Sequence, residues 1–215
     1  MSNICIIGHI SIDKIYNNKI KAESIGGPPC YSGLTCVNEG LDVEIYTRVG
    51  NDFPAEYESW LKENRIRMLD GKSALNTTSF KITETKKRKQ LKLINKCEEI
   101  RIEEEKVEKY EGIILSPIVN ELDEKNNKLI NKLDKKILLD PQGYLRKFNE
   151  NGVCELKYLD INKLPKADII KISEEESKMI DNSDKFSSRL KKISKNMASS
   201  RNWRRLFHFI RKSKC

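Results

Sequence analysis

Histidine is almost missing from this 215-residue chain: His9 and His208 are the only two, too few and too far apart for a histidine-based triad or metal site. None of the six cysteines (Cys5, Cys30, Cys36, Cys97, Cys154, Cys215) stands in a Cys-x-x-Cys spacing, so neither a zinc site nor a disulfide framework is indicated. No apolar run approaches the roughly 20 residues needed to cross a bilayer. The opening Met-Ser-Asn-Ile-Cys-Ile-Ile-Gly also lacks the basic start and long apolar stretch of a secretory signal, and the expected location is cytoplasmic, with no membrane partner. Acidic residues are absent after Asp184. Ten of the 41 basic residues lie from residue 189 onward, which leaves 31 of them against all 32 acidic residues in positions 1–188. The formal charge of +9 is therefore a property of the tail. The nearly neutral body is not built like a nucleic-acid-binding domain. Asp70-Gly71-Lys72-Ser73 looks like the end of a phosphate-binding P-loop, but Ile66 occupies the place of its leading glycine, which excludes Walker-type ATP binding there.

A hydrophobic content of 38% with 34% charged residues fits one sizeable core under a charged surface. The run Ile4-Cys5-Ile6-Ile7, ending at Gly8, reads as a strand buried on both faces, the kind found in α/β sheets. A more polar edge strand is expected over residues 19–24 and a helix over 30–39, closed by Gly40. Next come a strand over 43–49 and a helix started by Asp52 and Pro54 that runs to about residue 64. Between residues 76 and 102 polar and apolar residues alternate, predicting a projecting hairpin with arms at 78–83 and 90–94 and a solvated tip, Lys86-Lys87-Arg88-Lys89. The α/β rhythm then resumes. A strand is expected at 112–116, then a helix with Leu122, Leu129, Ile130 and Leu133 on one face, and strands at 137–139 and 168–172. Ligands of such sheets bind beyond the carboxyl ends of the strands, so Gly8, Ser116, Asp140 and Ser173 are expected near one site.

A carboxylate placed just past a buried strand can accept two hydrogen bonds from adjacent sugar hydroxyls, and glycines let backbone N–H groups approach the remaining oxygens. Asp13, in Gly8-His9-Ile10-Ser11-Ile12-Asp13, has that placement. With Gly26-Gly27-Pro28-Pro29-Cys30-Tyr31-Ser32-Gly33, then Gly40 and Gly50, it resembles the amino-terminal pattern of the ribokinase-like (PfkB) carbohydrate and nucleoside kinases. Two positions depart from that pattern: Tyr31 stands where Asn is common, and Gly33 where Ser, Thr or Ala is common. Leu139-Asp140-Pro141-Gln142-Gly143-Tyr144-Leu145-Arg146 resembles the family's Asp-Pro segment in its archaeal form. Ile172-Ser173-Glu174-Glu175-Glu176 resembles its Asn-x-x-Glu segment, with Ser173 in place of the Asn.

The resemblance implies an α/β fold with a mostly parallel sheet flanked by helices, and a small β lid formed near residues 15–25 and 76–102. It implies ATP-dependent, magnesium-assisted phosphorylation of a hydroxymethyl group on a sugar or nucleoside, with a homodimer contact through the lid. Asp13, Gly26, Gly27, Tyr31 and Glu121 would contact the substrate, Glu176 would hold magnesium through water, and Asp140 and Ser173 would lie near the phosphates. Glu174–Glu176 also suit the acidic first turn of a helix capped by Ser173.

The family's Gly-Ala-Gly-Asp segment, which supplies the catalytic base and the anion hole, has no counterpart in these 215 residues. The resemblance covers about residues 1–195. From Asn196 the composition turns basic and aromatic, with Trp203, Phe207 and Phe209 among arginines, and matches nothing the family places there. A frameshifted or prematurely ended kinase reading frame, inactive on its own, is the expectation. The competing readings are a sugar or nucleoside binder without catalysis, and a tail that stacks on single-stranded nucleic acid or lies on an anionic membrane.

Overall fold

The computed structural model describes residues 3–17, 21–69, 71–84, 89–183 and 185–197. Strand β1 (Asn3–Ile7) runs through the middle of the molecule. Its side chains sort by parity into two clusters: Cys5 and Ile7 pack with Leu115, Leu139 and Tyr144, whereas Ile6 packs with Val43, Ile45 and Ile66. A strand covered on both faces has no polar side, hence the unbroken apolar run. Each such fully buried side chain contributes about 1.5–3 kcal/mol.

After β1 the chain forms an antiparallel pair, β2 (Ser11–Tyr16) and β3 (Lys21–Gly26). The expected strand at 19–24 is thus shifted, and β2 is additional to it. Helix α1 (Pro28–Asn38) begins two residues before the expected start, because the fixed φ of proline suits a first helical turn, and Gly40 follows it with a φ of 78°. Strand β4 (Asp42–Tyr46) stops short of Val49, which makes only an isolated bridge with Lys72. Helix α2 (Ala55–Glu63) leads into β5 (Ile66–Leu69), a four-residue strand with no expectation behind it. The expected hairpin is present as β6 (Ser79–Glu84) and β7 (Lys89–Asn95), and its tip at residues 85–88 lies outside the described residues.

The second half contains α3 (Glu104–Val107), β8 (Gly112–Leu115), α4 (Glu124–Ile130) and β9 (Lys136–Leu139). Helix α4 is shorter than its sequence pattern: Asp123 caps it by accepting the Asn126 N–H, which leaves Leu122 ahead of the helix. There follow α5 (Gln142–Leu145), an unanticipated hairpin of β10 (Arg146–Phe148) and β11 (Cys154–Leu156), then β12 (Ile169–Ile170), α6 (Glu174–Lys178) and α7 (Phe186–Met197). The strand expected over 168–172 is only two residues long.

Among the described residues six strands form the central sheet in the order β12-β9-β8-β1-β4-β5, and every pairing is parallel. From β1 the chain goes on to β4 and β5 on one side, whereas β8 leads to β9 and β12 on the other. The carboxyl ends of β1 and β8 therefore flank the point where the winding reverses, which is where open α/β sheets bind ligands. A second sheet, β3-β2-β6-β7, joins two antiparallel hairpins through a parallel β2–β6 pairing. The Leu93 N–H donates to the Gly152 carbonyl at 2.8 Å, which ties β7 to the β10–β11 hairpin. Among the described residues no helix is long and apolar enough to cross a membrane. The basic aromatic tail, residues 198–215, lies outside the described residues.

Candidate functional site

A cleft of about 700 Å³ opens between the small sheet, α1, the β10–β11 hairpin and the start of α6. On the side of the small sheet it is lined by Ser11, Asp13, Phe80, Ile82, Gln90 and Leu91. Asp13 is half-buried on β2, and the Ser11 hydroxyl donates to its Oδ1 at 2.8 Å. Gly26, on the neighbouring strand, makes room for it: a Cβ there would lie 2.2 Å from Asp13 Oδ2. Gly27 has a φ of 91°, and its own Cβ would meet the His9 carbonyl at 2.6 Å, so a side chain is excluded on two grounds. Tyr31 stands at the rim, 63% exposed. Partial burial and, after it, the nearby Asp13 charge push its phenol pKa up. Asp13, Gly26, Gly27 and Tyr31 are thus brought together.

Glu121 sits differently. It is fully buried and does not line the cleft; its carboxylate accepts N–H groups from His9 at 2.8 Å, Ile118 at 2.9 Å and Val119 at 2.7 Å. It therefore ties the loop after β1 to the loop after β8. The two loops are in close contact already, since a Cβ on Gly8 would be 2.4 Å from the Ser116 carbonyl oxygen. Next along the sheet, Asp140 at the end of β9 is buried and pairs with Lys171 Nζ at 2.6 Å. Burial pushes the Asp140 pKa up, and Lys171 only partly offsets this. Ser173 and Glu176 form a capping box on α6: Ser173 Oγ accepts the Glu176 N–H at 3.2 Å, and Glu176 Oε2 accepts the Ser173 N–H at 2.8 Å. Both also line the cleft, together with Glu175. Among the described residues no group of three or more His, Cys, Asp or Glu side chains is arranged to hold a metal directly.

Several lining residues escaped sequence reasoning. Arg146 enters the cleft from β10 and donates Nη1–H to the Ile118 carbonyl at 3.3 Å; among the described residues it has no ion-pair partner. Gln142 lies one helix earlier, in the Asp-Pro segment that also carries Arg146. Phe80, Ile82, Leu91, Val153 and Leu156 give the cleft an apolar wall. The strand parity of Phe80 and Ile82 is a signal that could have found them, and Asn151-Gly152, a strong hairpin dipeptide, points to the β10–β11 turn.

No protein-family model and no curated protein matches the sequence. Solved structures do match the fold. A sulfate complex of a pyrophosphate-dependent kinase in the ribokinase family superposes with a TM-score of 0.80 at 19% identity, over 91% of this chain and 70% of that one. A pyrophosphate-dependent kinase in the ribokinase family, complexed with a pyrophosphate analog and myo-inositol, gives 0.75 at 21% identity over the same shares. The fructokinase of Halothermothrix orenii gives 0.68 at 14% identity, over 89% of this chain and 76% of that one. The chain accordingly has the ribokinase fold, with a mostly parallel central sheet flanked by helices.

Proposed function

We propose that this chain carries the acceptor site of a ribokinase-type phosphotransferase, and that its cleft holds a polyhydroxylated substrate such as a sugar, an inositol or a nucleoside. The observation that carries the reading is the Asp13 carboxylate, held in the cleft by Ser11 and given its space by the missing side chain of Gly26. A carboxylate flanked by glycine backbone suits vicinal hydroxyls, each charge-assisted bond contributing about 1.5–3 kcal/mol. Tyr31 and Arg146 would close on the substrate from the rim and from the β10–β11 hairpin. Glu121 would act beneath the cleft, by fixing the loops that carry Gly8 and Ile118.

The phosphoryl donor would approach over Asp140, Ser173 and Glu176. Glu175 and Glu176 fit magnesium held through water, because Mg2+ keeps several waters and needs only one or two carboxylates beside the donor's phosphates. The ion would neutralise charge on those phosphates when ATP binds. Phosphoryl transfer also requires a base for the acceptor hydroxyl and an anion hole, which the family places in a Gly-Ala-Gly-Asp segment with no counterpart in these 215 residues. These residues alone are therefore expected to bind acceptor without turning ATP over. Cys5, Cys30, Cys36, Cys97 and Cys154 are all free thiols, which favours a reducing compartment such as the cytoplasm. A homodimer contact through the lid belongs to the same reading, whereas the near-neutral body disfavours nucleic acid.

Calorimetric titration of the chain with ribose, fructose, myo-inositol and adenosine tests the acceptor site. Saturable binding of at least one of them, lost in Asp13→Ala, is the expected result; no binding of any, or binding unchanged in the variant, overturns the proposal. An ADP-release assay with ATP and Mg2+ is expected to give no turnover with any of the four.

A further inference from the structure

The His9 side chain has no role in the acceptor site described above, yet the residue is 0% exposed and every polar group of its ring is engaged. Its position is unusual. The residue follows Gly8 at the end of β1, while its ring lies between the two feet of the β6–β7 hairpin: Thr78, just before β6, and Glu98, a few residues after β7. Nε2 is 2.9 Å from the Glu98 carbonyl oxygen, which can only accept, so Nε2 carries the hydrogen. Nδ1 is 2.8 Å from Thr78 Oγ1, and that oxygen also accepts the Cys97 N–H at 3.0 Å. In the neutral ring Nδ1 is an acceptor, so the Thr78 hydroxyl donates to it. The bonds thus run in one direction, from Cys97 N–H to Thr78, from Thr78 O–H to His9, and from His9 Nε2–H to the Glu98 carbonyl. The backbone of the same residue donates to Glu121 at 2.8 Å and packs its carbonyl against Gly27 in the substrate loop.

We propose that His9 is the positioning residue that sets the β6–β7 hairpin over the Asp13 cleft, and that it does so only as the neutral Nε2–H tautomer. Protonation would add a hydrogen at Nδ1, reverse the bond to Thr78 and oblige the Thr78 hydroxyl hydrogen to find another acceptor, all with a cation in a site without water access. The charged groups facing the ring divide. Glu121 and the Glu98 carbonyl favour a cation, whereas Lys96 and Arg48, the latter paired with Glu98 at 2.9 Å, oppose it. Burial outweighs them all and holds the imidazole pKa below its ordinary 6.5. The latch is thus at full strength above pH 6.5 and weakens progressively as pH falls below it, because an opened hairpin frees the ring to take up a proton that the closed site resists.

The test needs no substrate, so it succeeds or fails independently of the kinase reading. Amide hydrogen exchange of the full chain, corrected for intrinsic rates, compares hairpin amides such as Ile82 and Leu91 with central-sheet amides such as Ile6 and Ile114. In the wild type, hairpin protection is expected to fall at least about tenfold between pH 7 and pH 5, while the central sheet changes less. In His9→Gln and in Thr78→Val it is expected to be low at pH 7 and nearly independent of pH. Nitrogen NMR of the labelled histidines is expected to show one ring as the Nε2–H tautomer at pH 7 and titrating below the ordinary 6.5. Equal loosening of both sheets would reduce His9 to a packing residue and overturn the proposal. Hairpin protection unaltered by either substitution, or an Nδ1–H tautomer, would do the same.

Discussion

Replacing Glu121 by glutamine removes one charge and almost no volume, and the structure says what should follow. Two carboxylate oxygens serve three buried N–H donors, those of His9, Ile118 and Val119. Glutamine offers one carbonyl oxygen and, in place of the other, an NH2 group that faces a donor. At least one buried N–H then loses its acceptor, at a cost of about 1–3 kcal/mol. The remaining bonds change from charge-assisted to neutral and weaken by about half, roughly 1 kcal/mol more. Together these give a destabilisation of about 2–4 kcal/mol, read as a lower urea midpoint at unchanged slope. Glu124→Gln is the control, since its side chain is 80% exposed and among the described residues its ion pair is with Lys128 alone. A Glu121→Gln midpoint no lower than that of the control would refute the idea that this carboxylate ties the β1 and β8 loops together.

Other perturbations have equally definite outcomes. Gly26→Ala places a Cβ 2.2 Å from Asp13 Oδ2 and must displace the carboxylate, so acceptor affinity measured by calorimetry is expected to drop at least tenfold while the urea midpoint moves little. Lys171→Met removes the cation beside buried Asp140. The folded protein already holds the Asp140 proton more tightly than the unfolded chain, so ionisation of this group lowers stability as pH rises through its raised pKa. Loss of the cation raises that pKa further, and the deficit of the variant is expected to be small below pH 3.8 and about 1–3 kcal/mol at pH 7, followed by urea unfolding across that range. A deficit that is the same at both ends would mean that Lys171 acts by packing alone.

What the sequence revealed and what it hid have physical reasons. The run from Ile4 to Ile7 was legible because a strand buried on both faces needs an unbroken apolar segment, and the β6–β7 hairpin because its faces alternate around a charged tip. Strand β2 was not: Asp13, Lys14, Ile15 and Tyr16 are all half-buried or exposed, so neither period stands out. Strand β5 is too short to show a pattern and exists because β4 offers it an edge, whereas β12, expected over 168–172, is cut to the two residues that pair with β9. The glycines around Asp13 could be read because close approach leaves glycine as the only residue that fits. The work of Glu121 and His9 could not. Each joins segments far apart in sequence, with His9 to Glu121 separated by 112 positions and His9 to Thr78 by 69, and a lone histidine carries no local signal of what it will meet.

Asp13 is the group proposed to hold a polyol in the cleft, and equilibrium binding with and without that carboxylate measures this most directly. Titrating ribose, fructose, myo-inositol and adenosine into the wild-type chain and into Asp13→Ala is expected to show saturable binding of at least one, weakened at least tenfold in the variant, as loss of even one charge-assisted hydrogen bond of about 1.5–3 kcal/mol requires. Equal affinity in both proteins, or none for any of the four in the wild type, would contradict it.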